Sequence, residues 1–267
     1  VGGHRAGVEP TSPFLQPILT ALLSLHNTGT IHFLGLYSHA GQSYSSYSRA
    51  SALEYLRQEF EALLAVTSTI HSHPFLPSLS TPLALVLTVG ATPTTTSIRN
   101  LLLHKKGDSD DEEGDPAVRD EVAALRGTLK TLRDMRCKLE IHAGVYPTLD
   151  LQQLSTHALP DPMLTWEDLA FTVLAEVISF YPNRGQDGKP EALIGAGTIA
   201  LGREPCQAYE GWGILTPWNR KGVEMPRGEP EGYRGWLVKK VCTIPTLLSL
   251  ASPTPRAAAL ALKVDGS

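Results

Sequence analysis

The order of apolar segments predicts an α/β protein in which parallel strands alternate with helices, followed by a β-rich region. Three observations support this reading. From the start to residue 142 the segments run turn–α–β–α–β–α–β, the pattern of a parallel sheet or barrel. The strands are short, nearly continuous apolar runs, as expected where both faces are covered. After Asp150 the alternation ends, and Gly- and Pro-punctuated segments with Trp212, Trp218 and Trp236 suit antiparallel β structure.

The first turn is Gly2-Gly3-His4-Arg5-Ala6-Gly7, of a kind that normally follows a strand. Residues 14–26 then set Phe14, Leu15, Ile18, Leu19, Leu22, Leu23 and Leu25 at helical spacing, with Gly29 as the stop. Residues 31–37 read as a strand closing at Ser38-His39-Ala40-Gly41, and 50–70 as a long helix carrying Leu53, Leu56, Phe60, Leu63, Leu64 and Val66. A strand over 83–89 follows, then an acidic insertion between Lys105 and Pro116 that reads as a solvated loop. Helix 117–134 leads to a buried strand over 138–142, and a short helix falls near 150–157. The apolar run Leu169–Phe180 opens the β region. From Cys242 onward the Ala/Leu/Pro/Ser-rich sequence carries no element signal.

Composition removes several function classes. A net charge of −4 gives no electrostatic footprint for nucleic acid. No apolar run reaches the roughly 18 residues a membrane-spanning helix needs, and no signal peptide is visible. Three widely spaced cysteines without a CxxC pair fit free thiols in a reducing, cytoplasmic setting.

The chemistry concentrates in two strand-to-turn segments. Leu139-Glu-Ile-His-Ala-Gly-Val-Tyr-Pro-Thr-Leu-Asp150 and Leu83-Ala-Leu-Val-Leu-Thr-Val-Gly-Ala-Thr-Pro-Thr94 each end a strand in a Gly-containing, hydroxyl-bearing turn. Such turns let backbone N–H groups approach a phosphate where no side chain intervenes. Thr92–Thr96 could equally cap the following helix. His71 and His73 have the spacing of a metal pair, but they sit in a Pro-rich loop with no third ligand, so no metal site is assigned.

The stretches GGHRAG, LGLYSHAGQSYSS, VLTVGATPTTTS, LEIHAGVYPTLDLQQLSTH, TVLAEVISFYPNRG, ALIGAGTIALGREP and GWGILTPWNR, in that order, resemble the fungal type of the D-serine dehydratase family. The resemblance spans about residues 3–240. It implies the second half of an alanine-racemase-like (β/α)8 barrel over 1–160, part of a β-rich C-terminal domain over 161–240, and a divergent, unstructured tail over 241–267. It further implies a lyase that binds pyridoxal 5′-phosphate (PLP) and zinc and converts D-serine to pyruvate and ammonia, with sites at or near a homodimer interface. D-threonine aldolase, an amino-acid racemase and a non-catalytic remnant of the same barrel remain alternatives.

By position, the resemblance places Arg5, His39, Thr92, Thr94, His142, Gly144, Val145 and Tyr146 around the cofactor. His39 would pack on the pyridine ring, Thr92 and Thr94 would hold phosphate with the N–H groups near Gly90 and Ala91, and Gly144, Val145 and Tyr146 would complete the cradle. His142 would face the ring nitrogen, Tyr44 would touch substrate, and Asp150 would support its turn. The family's PLP-bearing lysine lies on the first barrel strand, expected upstream of Val1, and none of the nine lysines present is placed to replace it. The family's zinc ligands, a His and a Cys two apart, have no counterpart around Cys242.

Overall fold

The computed structural model describes residues 6–103, 115–160, 163–201, 211–215, 235–241 and 246–250. They fall into two compact units, one comprising Val1–Tyr146 with Thr156–Met163, the other Pro147–Ser155 with Leu164–Ser267. Pro147–Ser155 thus goes with the second unit and Thr156–Met163 with the first. Among the described residues no helix is long and apolar enough to cross a membrane.

The first unit is built on a parallel sheet of β1 (Gly35–Ser38), β2 (Val86–Val89) and β3 (Lys138–Ile141), in the order β1-β2-β3. The helices α1 (Leu15–Asn27), α2 (Arg49–His71), α3 (Thr92–Ser97), α4 (Asn100–Leu103) and α5 (Pro116–Asp134) occur between and before these strands. Register sets the faces. Leu87 of the central strand pairs with Leu36 and with Leu139, and Thr88 with Tyr37 and with Glu140. Side chains alternate across a sheet, so Leu36, Leu87 and Leu139 share one face and Tyr37, Thr88 and Glu140 the other. The first face is the core side. Leu87 and Val89 are fully buried there in one cluster with Leu19, Leu23, Leu53, Leu56, Phe60, Ile70 and Leu125. Each fully buried Leu or Phe contributes about 1.5–3 kcal/mol relative to exposure.

The helices begin and end for local reasons. Ser48 caps α2 by accepting from the Ser51 N–H at 3.1 Å, while Ser51 Oγ accepts from the Ser48 N–H at 3.2 Å. Asp115 caps α5 through the Ala117 N–H at 2.9 Å, with Pro116 in the first turn. After α1, Gly29 takes φ +69°, the left-handed stop its position predicted. Arg57 of α2 ties this helix to α5 through Glu121 at 2.7 Å. Thr156–Met163 is secured to the first unit by Ser46, whose hydroxyl donates to the Thr156 carbonyl at 3.0 Å, and by Asn100, which donates to the Ala158 carbonyl at 2.9 Å.

Two expectations need correction. The strand read as buried over 138–142 is exposed at all four of its positions. It sits at the end of the sheet order, so the core helices that cover β2 leave Leu139 and Ile141 partly open to solvent. The tail read as unstructured from 241 contains a strand, β7 (Thr246–Leu250), the neighbour of two others.

The second unit holds α6 (Leu151–Ser155) and an antiparallel sheet of β4 (Val177–Tyr181), β5 (Glu191–Ile194), β6 (Trp236–Lys240) and β7 in the order β4-β5-β7-β6; the short helix α7 (Thr198–Leu201) follows β5. Its core is Ala192, Ile194, Ala196, Trp236 and Val238. The apolar run expected to open this region forms a strand only from Val177, and Phe171 and Leu174 remain exposed ahead of it.

Candidate functional site

Three chain segments leave the same end of the parallel sheet. His39-Ala40 follows β1, Gly90-Ala91 follows β2, and His142 to Tyr146 follows β3. Because the strands run parallel, all three turns collect at the carboxyl edge, where ligand sites form in α/β sheets.

The turns are bonded to one another. His39 Nδ1 lies 2.7 Å from the Gly90 carbonyl, which can only accept, so Nδ1 carries the proton and Nε2 is the basic nitrogen of the neutral ring. Thr95 donates its hydroxyl to the His142 carbonyl at 2.7 Å, and Thr92 Oγ1 accepts from the Val145 N–H at 3.2 Å. Gly90 is required at its position. It has φ +150°, and a Cβ there would fall 1.9 Å from the His142 carbonyl oxygen. The close approach of the second turn to the third therefore depends on a missing side chain. Gly144 differs, because a Cβ added to it would meet nothing within 4 Å. That backbone is open to an approaching group.

Three rings gather beside the turns on the sheet face away from the core. Tyr37 is stacked on His39 with centroids 6.5 Å apart and planes 17° from parallel, and its centroid is 6.4 Å from that of His142. His142 Nε2 lies 2.6 Å from Glu140 Oε1, with both side chains about half exposed. The two-residue spacing from Glu140 to His142 puts both on one face. The carboxylate accepts, so Nε2–H points to Glu140 and Nδ1 is left to accept or donate.

The predicted residues divide by role. Thr94 is fully buried, and its hydroxyl accepts from the Ala91 N–H at 3.1 Å and donates to the Ala91 carbonyl at 3.0 Å. Thr92 is equally buried and engaged with Val145. These hydroxyls brace the turns by taking up the Ala91 and Val145 N–H groups, and the Gly90 N–H faces Glu59, so the N–H groups expected near Gly90 and Ala91 to meet a phosphate are engaged within the protein. Tyr146 is exposed. Tyr44 is half-buried on a 3-10 turn over Gly41–Ser45 that packs on α3. Asp150 supports its own turn by accepting from the Gln153 N–H at 3.0 Å. Arg5 and Cys242 lie outside the described residues. His71 and His73 are taken up separately, His71 by the Thr67 carbonyl at 2.9 Å and His73 by the Thr20 hydroxyl at 3.0 Å. The described lysines of the first unit are Lys130, on α5 beside Asp134, and Lys138, at the opposite end of β3 from the turns.

Sequence reasoning missed Glu59. It is fully buried on α2, and its Oε1 accepts from the Ala40 N–H at 2.7 Å. Burial pushes its carboxyl up to about 7, against the opposing pull of the Thr94 hydroxyl and the Ala40 and Gly90 N–H groups. The signal was available. Leu56, Glu59, Phe60 and Leu63 follow the i, i+3, i+4, i+7 spacing of an apolar stripe, and one member of it is an acid.

The same fold occurs in known proteins. D-threo-3-hydroxyaspartate dehydratase, in a histidine-to-alanine variant, superposes with a TM-score of 0.59 at 20% identity over 97% of this chain and 51% of that one. An alanine racemase-like protein from Idiomarina loihiensis gives 0.54 at 20% identity over 93% of this chain and 49% of that one. The fold is thus that of the alanine-racemase-like α/β proteins with a β-rich partner region. Sequence similarity narrows this further. A model described as a putative serine dehydratase domain matches residues 170–242. D-serine dehydratase of Schizosaccharomyces pombe is 34% identical over 218 residues, or 81% of this chain and 43% of that protein. The Saccharomyces cerevisiae D-serine dehydratase is 31% identical over 214 residues, or 80% and 42%. The chain belongs to the D-serine dehydratase family, and it spans less than half the length of these two relatives.

Proposed function

We propose that this chain supplies the phosphate- and ring-binding part of a PLP site for the family's reaction, elimination of water from D-serine followed by hydrolysis of the released imine to pyruvate and ammonia. The observation that carries the reading is the convergence of three bonded turns at one sheet edge, with a glycine that brings two together and another that leaves backbone open. The residues fit a phosphorylated aromatic cofactor. Gly144 offers a backbone approach without a side chain, and His39 and Tyr37 supply nearly parallel ring faces beside it.

When bound, PLP supplies the electron sink that makes removal of an amino acid's α-proton feasible. The chain's own residues bind and orient. His39, fixed by the Gly90 carbonyl, holds one ring orientation and one tautomer. Glu140 keeps a proton on His142 Nε2 and so directs Nδ1 toward whatever the ring nitrogen requires. Thr92 and Thr95 hold the third turn against the second. Among the described lysines of the first unit neither stands at this edge, and a holding role for these turns is the part this reading gives them. A cytoplasmic homodimer acting on a D-amino acid is the setting this reading implies; for the zinc that the resemblance implies, the described residues offer no ligand cluster, and no step is assigned to it.

Borohydride reduction of the chain mixed with PLP, read by intact mass, tests the assignment. The expected result is saturable PLP binding that inorganic phosphate competes away and that leaves no stoichiometric pyridoxyl adduct. Absence of saturable binding, or a full adduct on one lysine, would contradict it.

A further inference from the structure

The buried acid behind the turns has no part in the reading so far. Glu59 lies in the middle of α2, a helix that packs on β1, β2, α3 and the 3-10 turn at Gly41–Ser45. Its Oε1 holds the N–H of Ala40, the residue after His39, at 2.7 Å. The same carboxyl interacts with the Thr94 hydroxyl and the Gly90 N–H. One side chain therefore touches both the turn after β1 and the turn after β2, from the side opposite the proposed ligand. Its Oε2 is sealed from solvent and makes no hydrogen bond of good geometry among the described residues. A carboxylic acid tolerates that arrangement far better than a carboxylate, whose burial costs several kcal/mol unless it is paired.

We propose that Glu59 is a positioning residue for the phosphate-bearing cofactor: as a neutral acid it fixes the spacing between Ala40 and Gly90–Thr94 without placing a negative charge behind the phosphate. The inference rests on the PLP-site reading above. It follows from electrostatics that phosphate binding and ionisation of Glu59 oppose one another. A dianion in front of the turns favours the protonated acid, and an ionised Glu59 weakens the dianion's hold. Few other titratable groups can mimic this. The neighbouring turns offer His39 and Tyr44, β1 offers Tyr37, and α3 and β2 contribute none. Of the charged groups of α2 flanking Glu59, Arg57 and Glu61 are engaged with each other, and Arg57 also with Glu121 of α5.

The test uses the full chain and pyridoxine 5′-phosphate, which lacks the aldehyde and so reports non-covalent binding alone. Dissociation constants for wild type, Glu59→Gln and Glu59→Ala are measured by calorimetry at pH 6.5 and 8.5, with far-UV circular dichroism to confirm folding. Glutamine keeps an oxygen for the Ala40 N–H but cannot ionise. At pH 6.5 Glu59→Gln is expected to bind within about threefold of wild type, and Glu59→Ala at least about tenfold more weakly. Between the two pH values the ratio of wild-type to Glu59→Gln constants is expected to rise about tenfold as the wild-type acid ionises. If Glu59→Ala does not fold, the Glu59→Gln comparison alone decides. Wild-type binding with an unaffected Glu59→Ala, or with a pH-independent ratio, overturns the role of Glu59 and leaves the site standing. Failure of wild type to bind at all overturns the site and this inference together.

Discussion

At the scale of residues, one buried side chain and one missing side chain organise the carboxyl edge. Gly90 permits the contact between the second and third turns, and Gly90→Ala would force its Cβ into the His142 carbonyl. A backbone clash cannot relax as a flexible side chain can, so a loss of about 3 kcal/mol is expected in urea denaturation. Glu59 sets a pH dependence. Its folded pKa of about 7 lies above the ordinary 4.5, so the stability that goes with its protonated form is intact below about pH 4.5 and is lost as pH rises through about 7. A decline of about 3 kcal/mol between pH 5 and 8 is expected for wild type. The Glu59→Gln variant, compared by denaturant midpoints across that range, should show a flatter profile. The sequence exposed His39, Gly90 and His142 because each sits where a short apolar run stops. It did not expose which hydroxyls of Thr92 and Thr94 face inward, because capping and phosphate binding ask for the same residue types and only three-dimensional bonding separates them.

At the scale of elements, α2 joins the turns to the rest of the first unit. Its extent was legible, read as 50–70 and found at Arg49–His71, because a long apolar stripe and a serine-rich start mark both its face and its first turn. Ser48→Ala removes the hydroxyl that accepts the Ser51 N–H and is expected to cost about 1 kcal/mol, seen as a lower thermal midpoint. Phe60→Ala empties a fully buried site on the same helix and should cost about 3–5 kcal/mol. Strand exposure was less legible. Apolar runs such as those of β2 and β3 look alike in sequence, and burial follows from place in the sheet order, which is a long-range fact. The strand at Thr246–Leu250 was missed for a related reason. Thr-Leu-Leu-Ser-Leu lacks strict alternation, and its place between β5 and β6 is set by tertiary pairing.

At the scale of the whole molecule, the chain carries two units, the family's fold and one converged set of turns. Leu139 and Ile141 of β3 are 38% and 36% exposed at a sheet edge, a template for pairing with another chain. Self-association of the 267-residue chain in sedimentation velocity is therefore expected, and Ile141→Lys should reduce it. The central claim, that the edge formed by the turns after β2 and β3 binds a phosphate-bearing cofactor, is tested most directly by amide chemical-shift mapping with pyridoxine 5′-phosphate. The account predicts that the largest shifts fall on Gly90–Thr95 and Gly144–Tyr146 and saturate with one stoichiometric ligand. Shifts that miss both turns while concentrating elsewhere on the chain would contradict it.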